Sequence, residues 1–468
     1  MFILDKKDRI CIFVLVEKDK YAKHILVEKD NIMKKIIQQR LSDSISMSIP
    51  ELIVREYRVP KIPGKVYAIT GMRRTGKTYF LYQRIKHYLK KGVEKTRLIY
   101  FNFEDERLAN IKLDDMHWII DEYFAMFPKN RKKKVYFFFD EIQLIKGWEK
   151  FIRRITDSEN VQVYISGSSA KMISSEIASS MRGRSIEITI YPYSFSEFLK
   201  NRNITLPSLK HTDKNIRSIM ENQLLKYLST GGFPEAQNLI IQDHNMLLQG
   251  YINTVIFRDI IERFNIKNIS ILKMLIRHII QNMSCKFTVN KFYNQLKSQM
   301  IKASKTTLHE YRDYLRDVFL LYPAYIHTKS ERKRMINPVK TYIIDTGLAH
   351  SFSIKKELET DHLLGNCVFM ELQRRKADIE YLKTVSGYEI DFFVKQFNKT
   401  EQIIQVSADI SNPDTLKREI RALKEAGKTH PDSELFLINI SEEYTIDVKN
   451  QTINIIPAWK WLLDKPFF

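Results

Sequence analysis

A glycine-rich segment that contains a lysine and a threonine carries the strongest chemical signal in the sequence. It reads "GMRRTGKT" over residues 71–78, between an apolar stretch, Val66 to Ile69, and a helix-period pattern that begins near Phe80. Glycines here allow a tight turn whose N–H groups face phosphate oxygens at a helix N-terminus. Lysine neutralises the β- and γ-phosphates, and threonine ligates Mg²⁺. The predicted cofactors are ATP and Mg²⁺, and the predicted binding residues are Gly71, Arg73, Arg74, Thr75, Gly76, Lys77, Thr78 and Tyr79.

Two adjacent acids follow a second apolar run. In "VYFFFDEIQ", residues 135–143, a short run typical of a buried parallel strand ends in Asp140 and Glu141. Asp140 at the end of such a strand would complete the Mg²⁺ shell with Thr78, and Glu141 would polarise the attacking water as general base. Both motifs in this order predict ATP hydrolysis, with Lys77 and Glu141 as catalytic residues.

Polar residues after a third strand are further candidates. The segment "VQVYISGSSAKMI", residues 161–173, ends its apolar part in a cluster of serines, of which Ser168 could hydrogen-bond the γ-phosphate or the lytic water. A turn followed by a helix cap explains the same residues. Further on, Arg182 and Arg184 flank a glycine and could reach the γ-phosphate in a neighbouring subunit of a homo-oligomer. Arginines on a solvated loop are the alternative.

Five segments occur together in an order that points to one family: "TGMRRTGKTYFLYQ", "FFFDEIQLIKGWEKFIRRI", "ISGSSAKMISSEIASSMRGRSIEITIYPYSFSEFL", "YLSTGGFPEAQ" and "YIIDTGLAH". The chain resembles the archaeal and bacterial AAA+ P-loop ATPases that carry a winged helix and a degenerate restriction-endonuclease-like domain, across residues 50–425. The resemblance implies an α/β fold and an ATPase associated with DNA. The expected domains are an N-terminal extension of short strands or a hairpin (1–45), an AAA+ core with a parallel sheet (46–200), a helical lid (201–270), a winged helix-turn-helix (271–350) and an inactive nuclease-like α/β domain (351–468).

The region after the lid has the pattern of a helix-turn-helix with a basic hairpin. Two helix-period segments meet at a polar turn near residues 301–304, and two apolar strands follow around the tip "HTKSERKRMINP". Cationic and hydroxyl side chains at the second helix and the tip suit phosphate contact. The predicted DNA-binding residues are Lys305, Thr306, Arg312, Lys329, Arg332, Lys333 and Arg334. A winged helix that docks a protein is the alternative.

The segment "GYEIDFFVKQFNKTEQIIQVS", residues 387–407, resembles half of a PD-(D/E)xK nuclease site. Its skeleton would be Glu371, Asp391, Gln405 and Ser407. An active site of this kind uses two or more carboxylates for Mg²⁺ and a lysine beside the water. Here glutamine and serine stand at the second acid and at the lysine, although Lys395 or Lys417 could substitute. The substitutions favour a domain that does not cut.

Composition sets the remaining expectations. The 468 residues contain 76 Lys plus Arg against 55 Asp plus Glu, a net charge of +21 that favours a polyanionic partner, nucleic acid first and an acidic membrane surface second. The predicted nucleic acid is DNA, either duplex or branched. A lysine-rich, solvated surface is the bland alternative. Three scattered cysteines and no apolar run of membrane-spanning length indicate a cytoplasmic protein without membrane insertion.

These observations favour a Mg²⁺-dependent ATPase that acts on DNA or is gated by it. One rival is a nucleotide-gated signalling scaffold that binds a protein partner. The other is an ATPase-coupled DNA nuclease.

Overall fold

The computed structural model describes residues 29–167, 181, 183–210, 212–352, 359–448 and 451–464. Its first sheet is entirely parallel, with strand order β2-β3-β4-β1-β5. The strands are β1 (Val66–Thr70), β2 (Leu98–Asn102), β3 (Val135–Asp140), β4 (Val161–Ser166) and β5 (Ser185–Thr189). The carboxyl ends of parallel strands share one edge of a sheet, so the loop after β1 and the acids at the end of β3 meet there. The predicted α/β core with a parallel sheet is confirmed.

Helices cover both faces of this sheet. Val66 and Ala68 of β1 pack into one apolar layer, and Tyr67 and Ile69 pack into the other, as expected for a strand buried on both sides. The α-helices of this part are 29–46, Lys77–Lys90, His117–Met126, Trp148–Ser158 and Phe195–Asn201. Short 3₁₀ helices lie at Lys95–Arg97, Glu106–Leu108, Leu113–Met116, Pro128–Lys132 and Ile142–Leu144.

The described part of the N-terminal region is helical, which differs from the prediction. Residues 29–46 form a helix, whereas short strands or a hairpin were expected up to residue 45. Met33, Ile37 and Leu41 recur every four residues and are buried in the same apolar layer as Val66. This helix therefore packs on the first sheet, and residues 1–28 lie outside the described residues.

A helical segment follows the first sheet, where the lid was predicted. It contains Lys214–Thr230, a 3₁₀ turn at Pro234–Ala236, Ile241–Thr254, a π-helical stretch at Val255–Ile261, and Glu262–Phe264. Its break at Gly231 and Gly232, where a hinge was expected, is tightly packed. The Asp345 carboxylate accepts a hydrogen bond from Gly232 N at 2.6 Å, and a Cβ on Gly231 would lie 1.8 Å from Asp345 Oδ1. No side chain larger than hydrogen fits there.

The next region alternates helices and short strands. Its order is helix Ile269–Gln281, strand β6 (Lys286–Phe287), helices Val289–Ser298 and Lys305–Asp317, strand β7 (Leu321–Ile326), helix Glu331–Ile336, strand β8 (Val339–Ile343) and helix Thr346–Phe352. The Ser304 side chain caps the helix that begins at Lys305, by accepting from Thr307 N at 3.0 Å. Strands β7 and β8 pair antiparallel, so they form the expected hairpin.

A second, mixed sheet of nine strands runs from this hairpin to the C-terminus in the order β13-β14-β12-β11-β10-β9-β7-β8-β6. The added strands are β9 (Asp378–Lys383), β10 (Glu389–Lys395), β11 (Gln402–Val406), β12 (Glu434–Asn439), β13 (Tyr444–Val448) and β14 (Gln451–Pro457), with helices Thr360–Arg374, Pro413–Thr429 and Ala458–Leu463. Parallel pairing of β7 with β9 joins the hairpin to the C-terminal strands. The domain boundary predicted between residues 350 and 351 therefore separates strands that belong to one sheet.

Candidate functional site

The turn after β1 has the backbone that a phosphate loop requires. Gly71 and Gly76 have φ values of 135° and 97°, in the region that favours glycine. A Cβ on Gly71 would lie 2.3 Å from the carbonyl oxygen of Ile190, which excludes any larger residue. The helix then begins at Lys77, so that its free N–H groups point into the loop.

Lys77 is held inside this loop. Its Nζ donates to the carbonyl oxygens of Gly71 and Met72, at 3.2 Å each, and lies 3.8 Å from Glu141 Oε1. The side chain is buried, with 5% of the residue exposed. A lysine here would deliver its charge to phosphate oxygens that enter the loop.

Asp140 is the centre of a buried hydrogen-bond network. Thr78 Oγ1 donates to Asp140 Oδ2 at 2.7 Å, Tyr100 OH donates to the same oxygen at 2.7 Å, and Ser166 Oγ donates to Oδ1. Burial, and then the neighbouring Glu141 charge, raise the pKa of Asp140. A cation beside it would oppose this shift. The oxygen donors of Thr78 and Asp140 therefore fit Mg²⁺, which takes few protein ligands and keeps water and phosphate oxygens.

Glu141 follows Asp140 in a left-handed conformation, with φ 51°. Its backbone N–H donates to Ser166 Oγ at 3.0 Å, and Gln143 Nε2 donates to its carboxylate. The turn aims this carboxylate into the cleft beside Lys77, whereas the Asp140 carboxylate stays on the sheet side. The two acids predicted as metal ligand and general base thus occupy different environments.

Three residues that support the site were not among the predicted site residues, although Ser166 belongs to the same serine cluster as Ser168. Tyr100 reaches Asp140 from the adjacent strand β2, and Ser166 does so from β4, two residues before the predicted Ser168. Arg55 supports the loop from beneath. Its Nη1 donates to the Thr75 carbonyl at 2.8 Å, and its Nε pairs with Glu197 at 3.1 Å. Only the order of strands could have placed Tyr100, and no local pattern marks Arg55.

The two loop arginines bind acids of the helical segment. Arg73 Nε donates to both oxygens of Asp259, at 2.9 and 3.0 Å, and Arg74 Nη1 donates to Glu235 Oε1 at 3.0 Å. Asp259 lies in the π-helical stretch, a deviation that often occurs at functional sites. Both arginines were predicted to bind the cofactor, and the structure places them between the loop and the helical segment, where they line the cleft described next.

A cleft of about 1250 Å³ opens between these elements. Its walls are the loop with Tyr79, the segment after β2 from Phe103 to Ile111, and residues of the helical segment between Pro234 and Glu262. Lys77, Thr78 and Glu141 all line it. The cleft therefore joins the predicted chemical groups in one space.

The predicted arginine and serine candidates lie elsewhere. Ser168 and Arg182 are outside the described residues. Arg184 lies where β5 begins, at the sheet edge opposite the loop, since its carbonyl oxygen accepts from Val66 N. Its guanidinium pairs with Asp157 at 2.6 Å. A role for Arg184 at a γ-phosphate stays a prediction that requires a neighbouring subunit.

The predicted DNA-binding residues lie in two groups, and five of the seven are exposed. Lys305 and Thr306 are exposed on the first turn of their helix, whereas Arg312 is part-buried and donates to Asp313 at 3.1 Å. On the hairpin, Lys329, Arg332 and Lys333 are exposed. Arg334 differs, because its Nη1 donates to Glu380 Oε1 of β9 at 2.5 Å.

In the C-terminal sheet, Asp391 is bound to a lysine that the sequence pattern did not single out. Lys340 Nζ of β8 lies 2.8 Å from Asp391 Oδ1 and 2.9 Å from Glu389 Oε1, and the ammonium is almost fully buried. Gln405 Oε1 accepts from Asp391 N at 3.2 Å. Burial acts to lower the pKa of Lys340, but the combined attraction of Asp391, Tyr342 and Glu389 is larger and raises it, so the lysine stays charged.

Glu371 does not join this cluster in the structure. Its carboxylate accepts from Arg375 Nε at 3.1 Å and from Arg374 Nη1 at 3.5 Å. The helix instead presents Asp361, one of whose oxygens accepts from Ala408 N, to the pocket that Asp391 lines. Ser407 Oγ donates to the Asp409 carbonyl at 3.3 Å.

The two lysines considered as substitutes for the missing one are also elsewhere. Lys395 pairs with Glu401 at 3.3 Å, and Lys417 with Asp414 at 3.9 Å, both at the surface. Among the described residues, no group of three or more His, Cys, Asp or Glu side chains is arranged to hold a metal ion. Within the same part of the chain, no helix combines the length and apolar character needed to cross a membrane.

Two families match parts of the chain. An AAA domain matches residues 63–199, which include all five strands of the first sheet, and a domain of unknown function, DUF8612, matches residues 221–359. A protein of Methanocaldococcus jannaschii, uncharacterized protein MJ1544, is 36% identical over 433 residues, covering 88% of this chain and 91% of that protein. An uncharacterized protein of Haemophilus influenzae is 28% identical over 402 residues, covering 85% and 94%.

The solved structures that resemble this chain are more distant in sequence. The Walker-type ATPase PABY2304 of Pyrococcus abyssi has a TM-score of 0.40 and 13% identity, covering 68% of this chain and 95% of that chain. The Aeropyrum pernix ORC1 protein, solved in complex with DNA, has a TM-score of 0.27 and 12% identity, covering 69% and 91%.

Proposed function

Because the chain belongs to one family with the Methanocaldococcus jannaschii protein and contains an AAA domain, we propose that it is a Mg²⁺-dependent ATP hydrolase whose nucleotide state controls a DNA-binding winged helix. The observation that carries the proposal is the meeting of Lys77, Thr78 and the Asp140–Glu141 pair at one edge of the parallel sheet, beside a cleft large enough for a nucleotide.

Each residue of this group has a separate task in hydrolysis. The loop N–H groups and Lys77 bind the phosphates, and Lys77 stabilises the charge that develops on the transferred phosphoryl group. Thr78 and Asp140 are the residues that would hold Mg²⁺, whose charge would neutralise phosphate oxygens when it is bound. Tyr100 and Ser166 fix the Asp140 carboxylate by hydrogen bonds. Glu141, aimed into the cleft, takes a proton from the attacking water.

The lid contacts support control by nucleotide. Arg73 and Arg74 connect the phosphate loop to Asp259 and Glu235, and the adjacent Gly231–Gly232 turn is fixed by Asp345, which follows β8. Phosphates that enter the loop would compete with Asp259 and Glu235 for the two guanidinium groups. A change at the nucleotide would thereby alter the lid and, through Asp345, the β7–β8 hairpin.

Two features support DNA as the partner. The element order from Ile269 to Ile343 (helix, strand, two helices and a hairpin) is that of a winged helix, in which the last of these helices, here Lys305–Asp317, and the wing contact DNA in known examples. Exposed Lys305, Arg332 and Lys333 occur on those two elements, in a chain of net charge +21.

The test is duplex binding measured over a range of salt concentrations. Arg332→Ala/Lys333→Ala should weaken binding and lower the slope of log K against log salt by about 0.9 for each phosphate that the variant no longer binds. Lys399→Ala/Lys417→Ala, which removes two exposed charges from the C-terminal region, is the matched control and should keep the slope. An unchanged slope in the wing variant would refute the proposal that the wing binds DNA.

A protein-binding scaffold is the second candidate, because the lid exposes apolar side chains. Ile240 and Ile241 are 65% exposed and Met246 is 70% exposed, beside an apolar groove on the helix Ile241–Thr254. Exposed apolar surface of this kind occurs at protein interfaces. The scaffold would hydrolyse ATP slowly and show no salt-dependent DNA affinity, so the same titration separates the two functions.

We further propose that the C-terminal sheet does not cleave DNA. The ammonium of Lys340 lies between Asp391 and Glu389, where an active site would require a metal ion, and Glu371 is neutralised by two arginines. Cleavage of DNA in Mg²⁺ or Mn²⁺ that disappears in Asp391→Ala would establish the third function, a nuclease.

A further inference from the structure

The connection between β7 and β8 contains a short helix, Glu331–Ile336, which we call the tip helix. Its sequence, ERKRMI, combines three basic residues with two apolar ones. The apolar residues play no part in the phosphate contacts proposed above.

Packing beneath the tip helix fixes which side of it faces outward. Arg334 Nη1 donates to Glu380 Oε1 at 2.5 Å, and the guanidinium lies 5.1 Å from the centre of the Tyr325 ring. His327 Nδ1 lies 2.7 Å from the other Glu380 oxygen, which orients that carboxylate. A charge-assisted hydrogen bond of this kind holds the helix against β7 and β9.

This anchoring leaves two large apolar side chains in solvent. Met335 is 82% exposed and Ile336 is 71% exposed. Arg332 precedes them by three and four residues, which places all three side chains on one face of the helix. Polar residues at these two positions would connect β7 to β8 equally well, because the packing described above does not involve Met335 or Ile336.

Charge around the two apolar side chains specifies the chemistry of the partner. Lys329, Arg332 and Lys333 are exposed on the same connection, and Glu331 is its one acidic residue between positions 327 and 338. An apolar tip surrounded by cations is complementary to a partner with an anionic outer surface and an apolar interior that can be opened. Stacked base pairs between phosphate backbones have this arrangement.

We propose that Met335 and Ile336 form a wedge that enters the minor groove and partly unstacks a base step, while Lys329, Arg332 and Lys333 bind the flanking phosphates. This inference rests on the DNA binding proposed above and adds the mode of contact. Apolar wedges of Met, Ile, Leu or Phe are known to kink duplex DNA in this way, most easily at TA and CA/TG steps.

A lipid surface fits the tip helix less well. Peripheral helices that lie in a membrane interface bury a long apolar face. The tip helix has six residues and two apolar side chains, and Arg334 on its other side is bound to Glu380.

The test uses the full-length protein and a duplex with 2-aminopurine at a central TA step. Wild type should raise 2-aminopurine fluorescence several-fold on binding, as the base loses its stacking. Met335→Ala/Ile336→Ala should lose this rise and still bind the duplex with an unchanged salt slope. Alanine keeps the tip helix intact, and Val385→Ala, which removes a 90% exposed apolar side chain at the β9–β10 turn, is the matched control and should behave as wild type.

The outcomes separate this inference from the DNA binding on which it rests. Salt-dependent binding by wild type without a fluorescence rise, or a rise that persists in the double variant, would refute the wedge and leave DNA binding intact. Absence of duplex binding by wild type would refute both. Binding to anionic phosphatidylserine vesicles that Met335→Ala/Ile336→Ala abolishes, without DNA binding, would assign the tip helix to a membrane.

Discussion

Replacement of Glu141 by glutamine tests the assignment of chemistry most directly. The amide has the size of the carboxylate and can still accept a hydrogen bond from Gln143, but it cannot take a proton from water. The φ of 51° at this position stays available, since only the side-chain terminus changes. The change therefore isolates the proton-accepting step from the architecture of the cleft.

The magnitudes follow from the two roles of the carboxylate. Loss of a general base costs roughly 10²–10⁴ in turnover, which corresponds to about 2.7–5.4 kcal/mol of barrier. The carboxylate also attracts Lys77 across 3.8 Å between two largely buried groups. At an effective dielectric constant near 20 this attraction is on the order of 4 kcal/mol before desolvation is subtracted. Glu141→Gln releases Lys77 for phosphate, so ATP affinity should be equal to that of wild type or higher.

The assay measures binding and turnover separately, with a fluorescent ATP analogue for affinity and phosphate release for turnover. Lys77→Ala should lose both, because it removes the cation that neutralises the phosphates. Glu104→Gln is the matched control, since Glu104 lines the same cleft but is half-exposed and binds Arg73 at 3.4 Å. Wild-type turnover in Glu141→Gln would refute the general base. Loss of ATP binding in that variant would show that Glu141 has a structural role.

Three further predictions address the contacts that hold the lid and the chemistry of the C-terminal sheet. Asp259→Ala removes the bidentate partner of Arg73, and a hydrogen bond to a charged group is worth about 1.5–3 kcal/mol. The variant should therefore show faster amide hydrogen exchange in residues 241–264. Unchanged exchange would contradict the proposal that Arg73 and Asp259 hold the lid against the phosphate loop. Burial raises the pKa of Asp345 from 3.8 to about 6, so folding favours its protonated form and the free energy of unfolding falls as pH rises through this interval. Asp345→Asn should flatten that slope in denaturation curves taken across the interval, and a slope equal to wild type would assign it to other groups. The purified protein should not cleave linear, circular, single-stranded or branched DNA, in Mg²⁺ or Mn²⁺ and with or without ATP. Cleavage that persists in Lys77→Ala but is lost in Asp391→Ala would contradict this prediction.

Local patterns predicted the nucleotide-binding half of the molecule well. The apolar run from Val135 ends at Asp140 as expected, and the helix after the glycine loop begins at Lys77. Both features depend on residues close in sequence, namely a buried run and its turn. The order of the five strands and the AAA domain match agree with that prediction.

Contacts between distant segments could not be predicted in the same way. Glu371 and Asp361 lie on one helix, and only the position of that helix against the sheet decides which acid lines the pocket with Asp391. Lys340 reaches Asp391 across 51 positions, because β8 joins the same sheet. Arg73 and Arg74 were assigned to phosphate from their place in the loop, and their acidic partners lie 186 and 161 residues away.

Parallel pairing of β7 with β9 has a consequence for how this chain can be divided. Without the residues after 352, the edge of β7 would present unpaired N–H and C=O groups between Tyr325 and His327, where Glu380 and Tyr381 now bind. An exposed strand edge is a template for pairing with other chains. A shortened protein ending there would tend to aggregate, and a recombination event that exchanged the C-terminal strands would need to supply a replacement for β9. The two halves of the nine-stranded sheet are therefore expected to be inherited as one unit.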